Sequence, residues 1–223
     1  MATRNKLVYS VLEKAKVLSD DQAFNNLPIE YVRFLVDSKR EYLINQKFSD
    51  YRRILPDNLK QTIEFEMIRE ERVLGLPDDY VLVSKEPLPP LVYIERLINS
   101  TILSGRDFME SYLNLVPYER FLYVGKDKWL KNQVYAAIRD GRLYLKSGNF
   151  REKGGIILNM TGIFASPEEA YKMSPRYDPN ISFEDLEYPL TDTLGDTVVN
   201  MIIDDFLKTV QLKEDVRNNS APD

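Results

Sequence analysis

The 223 residues contain no cysteine and no histidine. A disulfide, a thiolate nucleophile, an imidazole base and the usual zinc site are therefore all excluded, and with them the conventional catalytic triads. Glycine is sparse at 9 residues, and Gly154-Gly155 and Gly162 have neither the spacing nor the strand-loop-helix frame of a phosphate-binding loop. They read as turn and strand-end glycines. No apolar run approaches the roughly 18 residues that cross a bilayer, and the first ten residues are too polar for the core of a signal peptide, so the expectation is a soluble protein made in a cytoplasm. What is present is ordinary for a globular chain: 43% hydrophobic and 29% charged residues at 26.0 kDa, enough for one sizeable domain or a domain with an appendage.

The net charge is -5, which argues against a protein whose main task is coating nucleic acid. The acidity is concentrated at one end. Residues 1–60 carry 11 basic and 8 acidic side chains and residues 61–163 carry 14 of each, whereas residues 164–223 carry 5 and 13.

Leu7, Val8, Val11, Leu12, Ala15 and Leu18 recur at helical spacing after a cap at Thr3. A second helix begins in the turn opened by Pro28, carries the stripe Ile29, Val32, Val36 and Leu43 flanked by Leu35 and Tyr42, and runs to Gln46, giving an antiparallel helix pair. Residues 61–68 alternate, with Ile63, Phe65 and Met67 on one face and Glu64 and Glu66 on the other, which is the pattern of a half-buried strand. Prolines at 77, 87, 89 and 90 punctuate the next stretch, in which residues 80–83 and 97–103 look extended and residues 107–115 space Phe108, Tyr112 and Leu115 as a short helix would. The strongest local signal is Asp140-Gly141 between two alternating runs, since a type I′ turn needs positive φ at both centres. It predicts a hairpin over 134–146, with a third strand over 156–163. Ser166-Pro167-Glu168-Glu169 has the form of a capping box opening a helix that Pro175 ends. Residues 174–189, with three prolines and no periodicity, read as a linker or an arm wrapped on something. Thr193 then opens a helix with the stripe Val199, Ile202, Ile203, Phe206 and Val210, and beyond Leu212 the polar tail reads as disordered on its own.

Three groups of residues could carry function. Glu64 and Glu66 are the paired carboxylates that a metal-dependent nuclease or a glycosidase needs, although an amphipathic strand puts two polar residues there anyway. The adjacent acids Asp20-Asp21, Asp78-Asp79 and Asp204-Asp205 suit turns and helix ends rather than a calcium loop. The hairpin places Val134, Ala136, Ile138, Leu143 and Leu145 on one face and Tyr135, Ala137, Arg139, Arg142, Tyr144 and Lys146 on the other. That second face mixes aromatics with bases, as nucleic-acid platforms and protein interfaces both do, and in a net-acidic chain it favours a protein partner. Its Tyr135, Arg139, Arg142, Tyr144 and Lys146 are the interface residues expected here. Tyrosine, at 14 residues against one tryptophan, Trp129, is abundant enough that some tyrosines should face partners.

Several segments carry a resemblance: NKLVYSVLEKAKVLSDD, the stretch from IEYVRFLVDSKREYLINQKFSDYRR to ILPDNLKQTI, VPYERFLYVG, QVYAAIRDGRLYLKSGN, MTGIFASPEEAY and DVRNNSAPD. Together they cover most of the chain, which resembles the head-to-tail connector proteins of short-tailed bacteriophages, and among these the ring, or adaptor, protein of crAss-like phages. The resemblance implies a non-enzymatic virion protein without cofactor or metal. It would sit at the head-to-tail junction in a ring of twelve subunits beneath the portal protein, contact other tail or ring proteins, and extend the channel through which DNA is ejected without sequence-specific binding or membrane contact. It carries no catalytic residue to transfer. An acidic end suits such a channel, because each contact to a phosphate adds salt-sensitive affinity and so friction. A nucleic-acid-binding accessory protein using the Tyr/Arg hairpin face, and a carboxylate-dependent nuclease using Glu64 and Glu66, are the alternatives.

The expected fold is α+β: an N-terminal helical hairpin or bundle with a small antiparallel β region, and a C-terminal helix plus extended arm. Residues 1–173 would form the bundle with the inserted β region, and residues 174–223 the arm, helix and tail.

Overall fold

A computed structural model describes residues 2–18, 27–49, 55–71, 80–92, 101–105, 108–112, 114–121, 123–124, 133–146 and 155–219. The chain divides into two compact units, Met1–Lys47 with Pro179–Asp223, and Phe48–Asp178.

The first unit is helical. Helix α1 (Arg4–Leu18) starts where Thr3 caps it, with the Lys6 amide donating to the Thr3 hydroxyl at 3.2 Å. Helix α2 (Ile29–Phe48) follows Pro28, whose carbonyl accepts from the Tyr31 and Val32 amides. The C-terminal helix, numbered α5 below, spans Asp192–Asn219. Its cap is Thr191, which takes the Leu194 amide on its hydroxyl, so the helix opens one residue ahead of Thr193. The helix also continues past Leu212 through Asn219, where composition alone reads as a disordered tail. Leu7, Val8 and Val11 of α1, Val32, Val36 and Ile44 of α2, and Val198, Val199 and Ile202 of α5 are buried, as the 3.6-residue stripes require. Gly195 lets α1 and α5 approach, because a Cβ there would stand 3.2 Å from the Leu7 side chain.

The second unit overturns the expectation of a small, purely antiparallel β region. Its strands β1 (Gln61–Glu71), β2 (Tyr80–Ser84), β3 (Ile102–Gly105), β4 (Phe108–Tyr112), β5 (Asn114–Leu115), β6 (Tyr135–Arg139), β7 (Arg142–Lys146) and β8 (Ile156–Gly162) form one eight-stranded sheet, ordered β4-β3-β8-β1-β2-β7-β6-β5. The sheet is mixed, because β5 runs parallel to β6. Within residues 107–115, whose spacing predicts a helix, the described residues 108–112 and 114–115 form β4 and β5 instead. Their Phe108/Tyr112/Leu115 periodicity is overridden by long-range pairing, in which Tyr112 faces Ile102 and Asn114 faces Tyr135.

Strands β4 and β5 lie at opposite edges of the sheet, yet a single residue separates them in sequence. The chain spans at most about 7 Å over that step, so the sheet must curl until its edges approach. The concave side encloses the main core: Ile63, Phe65 and Met67 of β1, Leu82 of β2, Leu103 of β3, Leu143 and Leu145 of β7, and Leu158 and Met160 of β8. The alternation foreseen for β1 thus holds, and its glutamates point the other way. Val81 and Val83, alternating with Leu82, join Tyr135, Ala137 and Phe121 in a second, smaller core on the convex side. Helix α3 (Tyr118–Phe121) supplies that cover. Helix α4 (Pro167–Lys172) begins with Pro167 at its first turn, as expected. The Ser166 side chain makes no capping hydrogen bond, so the capping box does not close.

Candidate interaction surfaces

The hairpin forms as its turn chemistry requires. Asp140 and Gly141 take φ of 52° and 72°, the left-handed values of a type I′ turn. The register sets Tyr135 opposite Lys146, Ala137 opposite Tyr144 and Arg139 opposite Arg142, so the five expected interface residues share one face. The packing divides that face in two. Tyr135 is buried in the convex-side core, and the half-buried Tyr144 packs against that core and meets Tyr118 edge-on with ring centroids 5.3 Å apart. Arg139 lies over the Tyr118 ring at 4.6 Å and reaches Asp140 at 3.5 Å. Hydrogen bonding to Tyr118 raises the Arg139 guanidinium above its ordinary range, and burial raises the Tyr144 phenol. Arg139 and Arg142 remain exposed. Helix α3 packs against the buried Tyr135 and the half-buried Tyr144, a long-range contact that hairpin alternation alone does not reveal.

Glu64 and Glu66 stand on the convex side of β1, beside a cavity of about 220 Å³ also lined by Lys85, Glu86, Ile157 and Met173. Lys85 reaches across from the end of β2 and holds the Glu66 carboxylate at 2.6 Å. Among the described residues no three carboxylates converge where they could hold a metal ion. Asp204 is exposed and Asp205 pairs with Lys39 of α2. The pairs at 20–21 and 78–79, and Gly154, lie outside the described residues. Gly155 takes φ of 72° in a turn, and Gly162 ends β8 against Thr101 and Leu91.

The helical unit also holds a polar centre that none of the candidate groups above includes. Asp37 of α2 receives both the Arg4 guanidinium of α1 and the hydroxyl of Tyr188. Arg4 also binds Glu184 at 2.9 Å, Arg33 approaches Glu184 at 3.3 Å, and the fully buried Arg40 donates to the Pro189 carbonyl at 3.0 Å while its guanidinium lies 5.8 Å above the Tyr188 ring. Backbone bonds add to this: the Tyr188 amide donates to the Ala2 carbonyl, and Thr3 bridges to Glu187. The aperiodic segment before α5 is thereby strapped across the helices of its own unit. Burial pushes the Asp37 carboxyl up, against the pull of the Tyr188 hydroxyl and of Arg4 and Arg40. Burial likewise pushes the Tyr188 phenol well up and the Arg40 guanidinium down. One signal was available: Arg40 occupies the next step of the stripe Val32, Val36, and a cation in an apolar stripe calls for buried partners.

Two surface features complete the picture. A cavity of about 360 Å³, lined by Leu88, Pro89, Pro90, Leu91, Ile138, Leu143 and Met160, opens at the turn end of the hairpin. On α2, Tyr31, Phe34 and Tyr42 are exposed, at 47%, 65% and 54%. Among the described residues no helix is long and apolar enough to cross a membrane.

The profile of a family described as phage tail ring protein 2 matches residues 6–223. The chain is also similar to a protein called Ring protein 2 from Bacteroides phage crAss001, at 28% identity over 226 residues, an alignment that covers 99% of this chain and 97% of that protein.

Proposed function

The chain belongs to the phage tail ring protein 2 family, and from that premise we propose that twelve copies close into a ring that joins the portal to the tail and continues the DNA channel. The observation that carries this reading is the extent of the family match, which includes both units rather than one shared module. A structural role also suits a chain without the usual catalytic side chains, in which the polar groups that do cluster hold the fold together. The ring is part of the virion, assembled from chains made in the host cytoplasm, and it meets the portal protein on one side and other tail proteins on the other.

The exposed bases Arg139 and Arg142, with Lys146, offer a mixed, charged surface to one of those protein neighbours, since charged rims suit separable contacts. DNA passes through without being gripped. Asp192, Asp196 and Asp204 are exposed at spacings of four and eight residues on α5, which puts them on one helix face, and that face lines the channel.

Native mass spectrometry of the purified chain, alone and with portal protein, is the direct test. A discrete twelvefold mass is expected; a monomer under both conditions overturns the reading. Electron microscopy of the virion should show a closed ring at the tail side of the portal, and a reconstruction with the α5 acids wholly on the exterior removes the channel-lining assignment. Nucleic-acid binding with a steep salt slope that Arg139→Ala and Arg142→Ala abolish would favour the accessory-protein alternative instead.

A further inference from the structure

Helix α2 has two apolar faces, and among the described residues one of them supplies the buried core of the unit. Val32, Val36, Leu43 and Ile44 are buried. At 100° per residue, Tyr31, Phe34, Leu35, Ser38, Tyr42 and Asn45 fall on the opposite side, a row about 21 Å long. No member of that row is charged. The charges of α2 lie on its flanks and inner side, and several are engaged inside the unit: Glu30 with Arg33, Arg33 with Glu184, Asp37 with Arg4, Lys39 with Asp205. A helix whose outer face only meets water carries its charges there; this one presents aromatic rings.

We propose that this outer face of α2 is the lateral contact by which one copy of the chain binds the next copy in the ring. The inference rests on the ring reading above and adds the surface that closes it. The occupant follows from composition and area. Contacts between copies that never function apart are more apolar than contacts between separable partners. The uncharged α2 row has the first character, and the hairpin face with Arg139, Arg142 and Lys146 has the second. Three aromatic side chains, about half exposed, offer on the order of 300 Å², against roughly 800 Å² per partner in a stable interface. The row is thus the centre of a contact, and the flanking ion pairs form its rim. A closed ring is built head to tail, so the facing patch on the neighbour is a different surface, and the row needs no self-complementarity.

The absence of cysteine allows a clean test. Ser38→Cys puts one thiol in the middle of the row, at an exposed position. Its labelling by a maleimide should slow at least tenfold when the ring assembles, whereas a thiol introduced at exposed Glu13 of α1 should label at the same rate throughout. Separately, Phe34→Gln with Tyr42→Gln should raise the concentration at half assembly at least tenfold, with the circular dichroism melt of the unassembled chain unchanged. Assembled Ser38→Cys rings whose thiol labels as fast as in the free chain, or a double variant that closes rings at the wild-type concentration, overturn the assignment. So does a variant that forms normal rings but no longer recruits another tail protein, since the face then belongs to that protein. A wild-type chain that never forms a ring, with or without portal protein, instead removes the ring reading on which the assignment rests.

Discussion

The helical unit and the sheet unit solve the same problem with opposite chemistry. Met1–Lys47 with Pro179–Asp223 carry 11 basic and 16 acidic residues, and so the whole net charge of -5, whereas Phe48–Asp178 carry 19 of each. In the sheet unit the polar backbone is absorbed by strand ladders, leaving the concave side free to be filled with Ile63, Phe65, Met67, Leu103, Leu158 and Met160. In the helical unit an aperiodic segment lies across two helices with few ladders of its own. It is held by side-chain bonds from Arg4, Arg33, Asp37, Arg40 and Tyr188, several of them buried. Where regular structure satisfies the backbone, side chains can be apolar; where it does not, side chains must take over the bonding, and charge enters the interior with them.

That contrast has measurable consequences. The largest is expected in the sheet unit, where Phe65→Ala empties the concave core and should cost about 4 kcal/mol in urea denaturation; a loss under about 1 kcal/mol would mean that the curled sheet collapses onto the void. In the helical unit Asp37→Ala should cost about 2 kcal/mol, because Arg4 and the Tyr188 hydroxyl lose their partner while the site keeps some solvent exposure. Replacing both partners, Arg4→Met with Asp37→Leu, should cost less than Asp37→Ala alone, since no charge is then stranded. If the double variant is the worse of the two, the network contributes more than an apolar filling could. Thr191→Ala, which removes the cap of α5, should lower stability by about 1 kcal/mol.

The smallest effect is a slope. Burial raises the Asp37 carboxyl, so the folded chain keeps this proton in a pH range where the unfolded chain has released it. Stability from this group is therefore fully present below the ordinary value of 3.8 and is lost as pH rises through the raised one. Measured by denaturation across that window, wild type should fall relative to Asp37→Asn as pH rises. A difference that grows with pH would show that pairing with Arg4 outweighs burial.

Local signals proved most readable where the chemistry is local. Thr3 and Pro28 mark helix starts, Asp140-Gly141 marks the hairpin, and the 63/65/67 alternation marks the core side of β1, because caps, turns and strand pleats act over a few residues. Of strands β3 to β5 only the start of β3 was readable in this way, as the end of the extended stretch 97–103. They are short, and they exist because Ile102 meets Tyr112 and Thr161 while Asn114 meets Tyr135, partners up to about sixty positions away. The same holds for the candidate surface: alternation placed Tyr135 and Tyr144 with the arginines, but the burial of Tyr135 and the packing of Tyr118 and Phe121 on the half-buried Tyr144 come from a segment outside the hairpin. Arg40 was the missed clue, a buried cation announced by its place in an apolar stripe.

Composition settled which chemistry is absent, since a chain without cysteine and histidine has no thiolate or imidazole wherever its residues lie. The resemblance carried by its segments pointed to the family that the full-length match then showed. The curled eight-stranded sheet, the strap tied to Asp37 and the division of the hairpin face were decided by tertiary structure alone, because each depends on which distant segments exclude water from one another, and no window of neighbouring residues contains that information.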